Sequence, residues 1–416
     1  MNIQDTTSGA TSGAAAEAGG WLVKRGLAGD SIEQLLAGLC ERLLAGGLPL
    51  LRAFVGLQTL HPLYGGYAYI WRRGAAQLAT ESYLRQRGDN EDYLRSPFHH
   101  MREHKLLRLR QNLQATADPD FPIYQTFRDE GGTDYFVRLF PFDRAQRPDR
   151  QDGILVSLLF DRTGGMTADE IAGLESLLEV FALAARSAAA SATALSVACT
   201  YLGRDAGRRV MDGEIDRGTA ASMRAVIYYA DLRGFTPLAE QLPGPVLLRA
   251  LDDYLDAMAR GVLQRGGEVL KFLGDGVLAV FEISADDKEC QVACRQGIAA
   301  GRDAFAAIRS LNAAREAAGQ PTVELDLALH IGTVLYGNVG VEGRLDFTVI
   351  GPAVNEASRI EAMCGDLDRN WLVSEAFYDS ARHCTDQFEA MGRHRLRGLT
   401  GPRTLYSLPL SGRKAA

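Results

Sequence analysis

Residues 1–20 are mostly Gly, Ala, Ser and Thr with almost nothing to bury, and the hydrophobic pattern begins only near Trp21. This opening stretch is expected to be a disordered tail. Beyond it, Ile32, Leu35, Leu36, Leu39, Leu43 and Leu44 recur at helical spacing, and Asp30 with Glu33 reads as a capping box. Strand-like runs follow at 51–60 and 66–72, then mixed helical sequence to about Gln125. Two more strands, 134–142 and 153–161, flank a turn rich in Arg, Asp and Pro. Residues 21–165 are therefore expected to form one α+β unit.

Across 166–218 the pattern turns helical. Thr167 with Glu170 forms a second capping box. Ile171, Leu174, Leu178, Phe181, Ala185, Ala188, Ala192, Leu195, Cys199 and Leu202 then alternate by threes and fours. That is a heptad seam, with small residues at its middle, and it predicts a connecting helix able to pair with a second copy. Alanine at the seam buries little area, so the pairing would be weak on its own.

Residues 219–416 carry a different order. A strand ending at Asp231 runs into a helix opened by Thr236 and Pro237, which continues to about Arg265. Strands at 268–273 and 277–281 are joined through Gly274-Asp275-Gly276, strong turn chemistry. A helix over about 286–316, a strand over 323–334, a glycine-punctuated hairpin and a helix opened by Pro352 complete the set. The order βαββαβ predicts a ferredoxin-like sheet.

Charge and cysteine content narrow the partners. With 45 basic and 52 acidic residues the difference, 45 − 52, is −7, so no general electrostatic pull toward nucleic acid exists. Six cysteines in 416 residues are too sparse for a disulfide framework. The N-terminus has neither a basic region nor an apolar core, and Arg186 interrupts the most apolar long stretch. A cytoplasmic protein without a membrane span is expected.

The candidate chemistry gathers in the C-terminal half. In a βαββαβ sheet the first strand lies beside the following hairpin, so Asp231 and Asp275 converge. Two converging carboxylates repel unless a cation joins them, and Mg²⁺ held by carboxylates and substrate phosphates is the natural occupant. LRGFTP, beside Asp231 and containing Phe235 and Thr236, runs into a helix N-terminus suited to a polyphosphate. Asn355 and Arg359, four apart, share one helix face.

The strings ADLRGFT (230–236), KFLGDGVLAVF (271–281) and DFTVIGPAVNEASRI (346–360) together resemble the class III nucleotidyl cyclase catalytic domain. The resemblance implies paired domains that convert a nucleoside triphosphate to its 3′,5′-cyclic monophosphate and pyrophosphate. It implies that Asp231, Asp275 and the Leu232 carbonyl hold two Mg²⁺ or Mn²⁺ ions per site. It assigns Lys271 and Thr348 to adenine, Asn355 to the ribose and Arg359 to the α-phosphate, with Arg344 and Arg397 as further phosphate contacts. Thr348 stands where many members carry Asp, which resembles the Lys/Thr subtype of adenylate cyclase. The implied enzyme acts on ATP as a homodimer with shared active sites. Guanylate cyclase, or a catalytically silent nucleotide-binding module, stays open as an alternative. A diguanylate cyclase does not, because its Gly-Gly-(Asp/Glu)-Glu-Phe turn is absent.

The N-terminal unit resembles GAF-type sensor domains in element order, which implies a small-molecule regulator. His100 and His104 have the i, i+4 spacing of a metal or haem pair, but no carboxylate or third ligand accompanies them, and a solvated basic helix face is the expected reading. Trp21, Tyr64 and Trp71 could line a pocket or fill a core.

Overall fold

The computed structural model describes residues 5–59, 61, 64–85, 91–115, 121–142, 153–284, 287–385 and 387–409. The chain divides into two compact units, Met1–Val197 and Ala198–Ala416.

The first unit opens with α1 (Asp5–Leu27), where the sequence predicted a disordered tail. Alanine is the best helix former, and this stretch leads to Ala18 and Leu22, both buried in the unit's core. Helix α2 (Ile32–Ala45) is capped one residue later than predicted, by Ser31 with Gln34. Asp30 instead accepts from Arg25 Nε at 2.5 Å. There follow β1 (Leu50–Gln58), β2 (Tyr64–Arg72), β3 (Ala79–Leu84), α3 (Glu91–Leu94), α4 (Pro97–Glu103), β4 (Arg108–Asn112), α5 (Pro122–Asp129), β5 (Asp134–Pro141), β6 (Gly153–Phe160) and α6 (Ala168–Leu202). The predicted turn between β5 and β6 lies outside the described residues at 143–152.

The six strands pair in the order β3-β2-β1-β6-β5-β4. Ala53, Val55, Val156 and Leu158 face one side, where Leu35, Leu36 and Leu39 of α2 and Leu174, Leu178 and Phe181 of α6 cover them. The opposite side, with Tyr135, Val137 and Leu159, is covered by Met101 of α4 and Tyr124 and Phe127 of α5. Each fully buried Leu or Phe contributes roughly 2 kcal/mol.

Thr167 and Glu170 cap α6 reciprocally, Thr167 N–H donating to Glu170 at 2.9 Å and Glu170 N–H to Thr167 Oγ1 at 3.2 Å. The heptad positions Ile171 to Ala185 are buried within their own unit, whereas Leu195 is exposed. Their apolarity is thus explained by local packing, and only the stretch after Ala185 is left for a partner helix. By length and composition α6 is the one helix among the described residues that could cross a membrane, where the sequence predicted none. Arg186 lies within this helix, its guanidinium over the Phe142 ring at 5.3 Å. Ile171 to Ala185 pack into the core of their unit, whereas only 17% of the apolar 18-residue stretch itself is buried.

The second unit contains α7 (Arg204–Met211), β7 (Ala220–Arg233), α8 (Phe235–Gln241), α9 (Gly244–Gln264), β8 (Glu268–Leu273), β9 (Gly276–Glu282), α10 (Asp287–Ala317), β10 (Glu324–Val341), β11 (Arg344–Ile350), α11 (Pro352–Glu361), α12 (Met363–Asp366), β12 (Trp371–Ser374), α13 (Glu375–Ala381), β13 (Glu389–Arg395) and β14 (Pro402–Ser407). The single helix predicted after Asp231 is two, because Pro243 lacks an amide donor and cannot continue α8.

Strands β10-β7-β9-β8 stand side by side, so that β7, first in sequence, sits between β10 and β9. This is the βαββαβ arrangement read from the sequence. Both faces of β7 are covered. Val226, Tyr228 and Ala230 point into the core made with α9 and α10, and Ala225 and Ile227 into a second cluster with Val334, Tyr336, Val349 and Ala357. Period-two alternation with apolar residues on both faces marks a central strand. The six cysteines are free, with Cys40, Cys290, Cys294 and Cys364 buried.

Candidate active site

Register places the two aspartates. Ala230 of β7 pairs with Val277 of β9, and the turn Gly274-Asp275 joins β9 back to β8, so Asp231 emerges beside that turn. The approach is close. A Cβ on Gly276 would lie 2.9 Å from both the Ala230 carbonyl and Asp231 Oδ1, so a side chain there would push the carboxylate away.

The Asp231 carboxyl is pushed up to about 6 by burial first, then by the negative charge of Asp275; the Leu232 amide opposes this and Asp326 adds to it. Asp326 faces Asp231 directly across the ladder from β10. Glu361, at the end of α11, is pushed up to about 8 by burial and by Asp231 and Asp326, against the pull of Arg233. The nearest guanidinium is already engaged. Arg233 donates Nε and Nη2 to the two oxygens of Asp326 at 2.8 and 2.7 Å and also reaches the Arg369 carbonyl at 3.2 Å. Among the described residues, neither Asp231 nor Asp275 forms an ion pair.

The result is a carboxylate group with more negative charge than the protein neutralises. Among the described residues no cluster of three or more His, Cys, Asp or Glu side chains is built to enclose a metal ion by itself. Hard oxygen donors in deficit of positive charge fit Mg²⁺ or Mn²⁺ shared with substrate phosphates, which needs only one or two carboxylates.

The other predicted residues are carried by the neighbouring elements. Lys271 on β8 is exposed and pairs with Asp346 of β11. Asp346 and Thr348 are two apart on that strand and so share a face. On α11, Ala353, Ala357 and Ile360 are buried, and Asn355 and Arg359 are exposed on the other side. Arg344 is exposed where β10 turns into β11, and Arg397 is exposed between β13 and β14. Gly234, in the left-handed region at φ 90, precedes α8 where Thr236 was expected to cap it. Phe235 packs partly into the core and Thr236 is exposed in the first turn. Among the described residues no hydrogen bond or ion pair joins the aspartate group to Lys271, Asn355 or Arg359.

Asp326, Arg233, Glu361 and Asp346 were not singled out from the sequence. Arg233 and Glu361 stand two residues beyond Asp231 and Arg359, the one signal available. Asp326 acquires its place only through the β7–β10 register.

In the first unit the His100 and His104 rings lie tilted against each other with centroids 4.1 Å apart, and His100 also meets the Phe121 ring edge-on at 5.5 Å. Trp21 and Trp71 pack against the core, with Arg42 over Trp21 at 3.9 Å. Tyr64 meets the rings of His61 and Tyr67.

Comparison with known proteins bears on the second unit. The family profile of the adenylate and guanylate cyclase catalytic domain matches residues 220–409. An adenylate cyclase of Anabaena cylindrica is 34% identical over 162 residues, which cover 39% of this chain and 32% of that protein. Adenylate cyclase 1 of Rhizobium meliloti is 28% identical over 183 residues, covering 43% of this chain and 26% of its own. The chain thus spans about a third or less of the length of these curated relatives. The crystal structure of the adenylyl cyclase CyaB from P. aeruginosa aligns at 27% identity and a TM-score of 0.41, covering 48% of this chain and all of that one. The family match and these relatives agree in placing the similarity to adenylate and guanylate cyclase catalytic domains within the second unit, the family match at residues 220–409.

Proposed function

We propose that the protein is an adenylate cyclase that converts ATP to 3′,5′-cyclic AMP and pyrophosphate at composite sites of a homodimer. The observation that carries this reading is the convergence of Asp231 and Asp275 across Gly276, with no ion pair to either among the described residues. When held by Asp231, Asp275 and the Leu232 carbonyl, divalent cations supply Lewis-acid polarisation of the ribose 3′-hydroxyl and neutralise the polyphosphate.

The chain's own side chains do the remaining work. The ribose 3′-oxygen forms a bond to the α-phosphorus, the bond to the bridging oxygen breaks, and pyrophosphate leaves as the hydroxyl proton passes to solvent. Arg359 offsets the charge that grows on the α-phosphate, where a preorganised donor acts most strongly. Asn355 orients the ribose on the same helix face. Lys271 donates to a ring nitrogen of adenine and Thr348 accepts from its amino group. Asp346 holds the Lys271 ammonium against the strand that carries Thr348. Phe235 and Thr236 begin the helix against which the polyphosphate lies, and Arg344 and Arg397 are phosphate contacts from the hairpins. On this reading Asp231 and Asp275 come from one copy, and Lys271, Thr348, Asn355 and Arg359 from the other.

The N-terminal unit is read as a GAF-like regulatory domain, with α6 connecting it to the catalytic domain. The test is complementation. Asp275→Ala and Arg359→Ala homodimers should each be nearly inactive, and mixing them should restore some activity through one intact site. Confirmed heterodimers without recovery would defeat shared sites. Parallel assays of pyrophosphate release from ATP and GTP read the base preference, and no release from either in Mn²⁺ would favour a silent nucleotide-binding module.

A further inference from the structure

The second unit holds a cavity of 210 Å³ whose wall contains Arg265, Arg295, Arg302, Asp303 and Cys384. None of these residues belongs to the aspartate group or to the predicted nucleotide contacts. The volume is several times the ~30 Å³ that one water molecule occupies in the liquid, so a small ion fits with room to spare.

Helical spacing builds the wall. Arg295, Ile298, Ala299 and Arg302 stand at i, i+3, i+4 and i+7 on α10 and so share one face. Ile298 is buried beneath the cavity, and Arg295 and Arg302 are exposed on either side of it. A rise of 1.5 Å per residue sets their backbones about 10 Å apart, a gap that an anion held between two long side chains can fill. Arg265, which ends α9, donates Nε to Asp303 Oδ2 at 2.8 Å and brings Nη2 to 2.6 Å from the same oxygen. Asp303 is the one carboxylate among the described residues that line the cavity, and Arg265 answers it. Arg302 donates Nη2 to the neutral Gln387 Oε1 at 2.9 Å. Arg295 stands beside the Cys384 thiol, which burial pushes up and the arginine's charge pulls down. Among the described residues neither Arg295 nor Arg302 forms an ion pair. An exposed guanidinium needs no counter-ion in water. What sets these two apart is that they face one cavity with an apolar floor.

We propose that this cavity binds a phosphate dianion between the Arg295 and Arg302 guanidinium groups, with Arg265 at its flank. Two unpaired positive charges match two negative ones, and the planar guanidinium fork meets phosphate oxygens in paired hydrogen bonds. Asp303 is already neutralised by Arg265 and so opposes the anion little. Ile298 and Ala299 offer an apolar wall to the carbon end of a monoester, which free phosphate would leave bare. The alternative is a hydrated basic face that attracts anions through net charge alone.

Calorimetric titration of the full chain in chelator, with inorganic phosphate and with glycerol 2-phosphate, separates the two, because the metal-free aspartate group repels both probes. One ion per chain should bind saturably. Arg295→Gln and Arg302→Gln should each lower the affinity roughly tenfold or more. Arg249→Gln, which removes the same charge from an exposed position near the start of α9, should not. Cys384 lines the cavity, so bound phosphate should also slow its alkylation by iodoacetamide, read by peptide mass spectrometry, and leave labelling of Cys199 unchanged. Tighter binding of the monoester would assign the cavity to a phosphate ester, and equal or weaker binding would assign it to the free ion. Absence of saturable binding, a wild-type affinity in either cavity variant, an equal loss in Arg249→Gln, or an unprotected Cys384 would each overturn the proposal. Both cavity arginines are exposed, so neither variant should shift the urea midpoint; if one does, the other variant and the Cys384 protection decide.

Discussion

Asp134 is buried and Asp231 half-buried, each near a strand end, and the protein treats them in opposite ways. Asp134, 1% exposed at the start of β5, accepts from Arg110 at 3.1 and 2.6 Å and from the Met166 amide at 2.8 Å. Its charge is answered within the unit, and Arg110 goes on to bond the Met166 carbonyl at 2.5 Å. Asp231 has the opposite environment: another carboxylate in the adjoining turn, a third across the ladder, and an arginine two residues away that is committed to Asp326. A satisfied buried charge fixes the fold. A buried charge left in deficit costs stability and is retained where something outside the chain completes it.

The largest expected effect separates the two aspartates. Asp231→Asn or Asp275→Ala should reduce pyrophosphate release by roughly 10³-fold or more. Metal-free Asp231→Asn should nevertheless be as stable as the wild type or more so in urea, because it removes a repulsion. Asp134→Asn should do the reverse, costing the first unit about 3 kcal/mol because Arg110 loses its charged partner. If Asp231→Asn destabilised as strongly as Asp134→Asn, the comparison would fail.

Arg359 comes next. Because it is exposed on α11, Arg359→Ala should lower kcat roughly 10²-fold to 10³-fold with an unchanged unfolding midpoint.

The pH response follows in size. Glu361 titrates near 8 in the folded protein against an ordinary 4.5, and Asp231 near 6 against 3.8. Between those values the folded state keeps protons that the unfolded chain has released. Stability is therefore greatest below the ordinary values and falls as pH rises through 6 and then 8. In chelator, Glu361→Gln should gain roughly 2 kcal/mol at pH 8, allowing for solvent screening, and little at pH 4, as urea midpoints across the range would show. The smallest effect belongs to the exposed Lys271–Asp346 pair. Such pairs contribute at most ~1 kcal/mol, so Asp346→Ala should change the KM for ATP only a few-fold.

Much of the second unit was legible in the sequence, because its strands bury residues on both faces and its turn chemistry is local. AVIYYAD reads as a central strand and Gly274-Asp275-Gly276 as a hairpin without any tertiary knowledge. The edge strands β3 and β4 were not legible. Every residue of β3 is exposed, and β4, RLRQN, is polar throughout apart from its leucine, so neither carries an apolar period. Helix α1 was hidden by its Gly, Ala, Ser and Thr composition, and the break between α8 and α9 by an apolar pattern that runs past Pro243. In the site, Asp231 and Asp275 were found through their strings. Asp326 and Glu361 were not, because cross-strand register and a helix end bring them to Asp231, and neither leaves a trace in spacing.

The central claim is that the Asp231–Asp275 pair receives divalent cations. Electron paramagnetic resonance of Mn²⁺, titrated into the full chain with a non-hydrolysable ATP analogue, counts bound ions without requiring turnover. The account predicts nucleotide-dependent Mn²⁺ binding to the wild type that is lost in both Asp231→Asn and Asp275→Asn. Mn²⁺ binding of equal stoichiometry and affinity in those variants would contradict it.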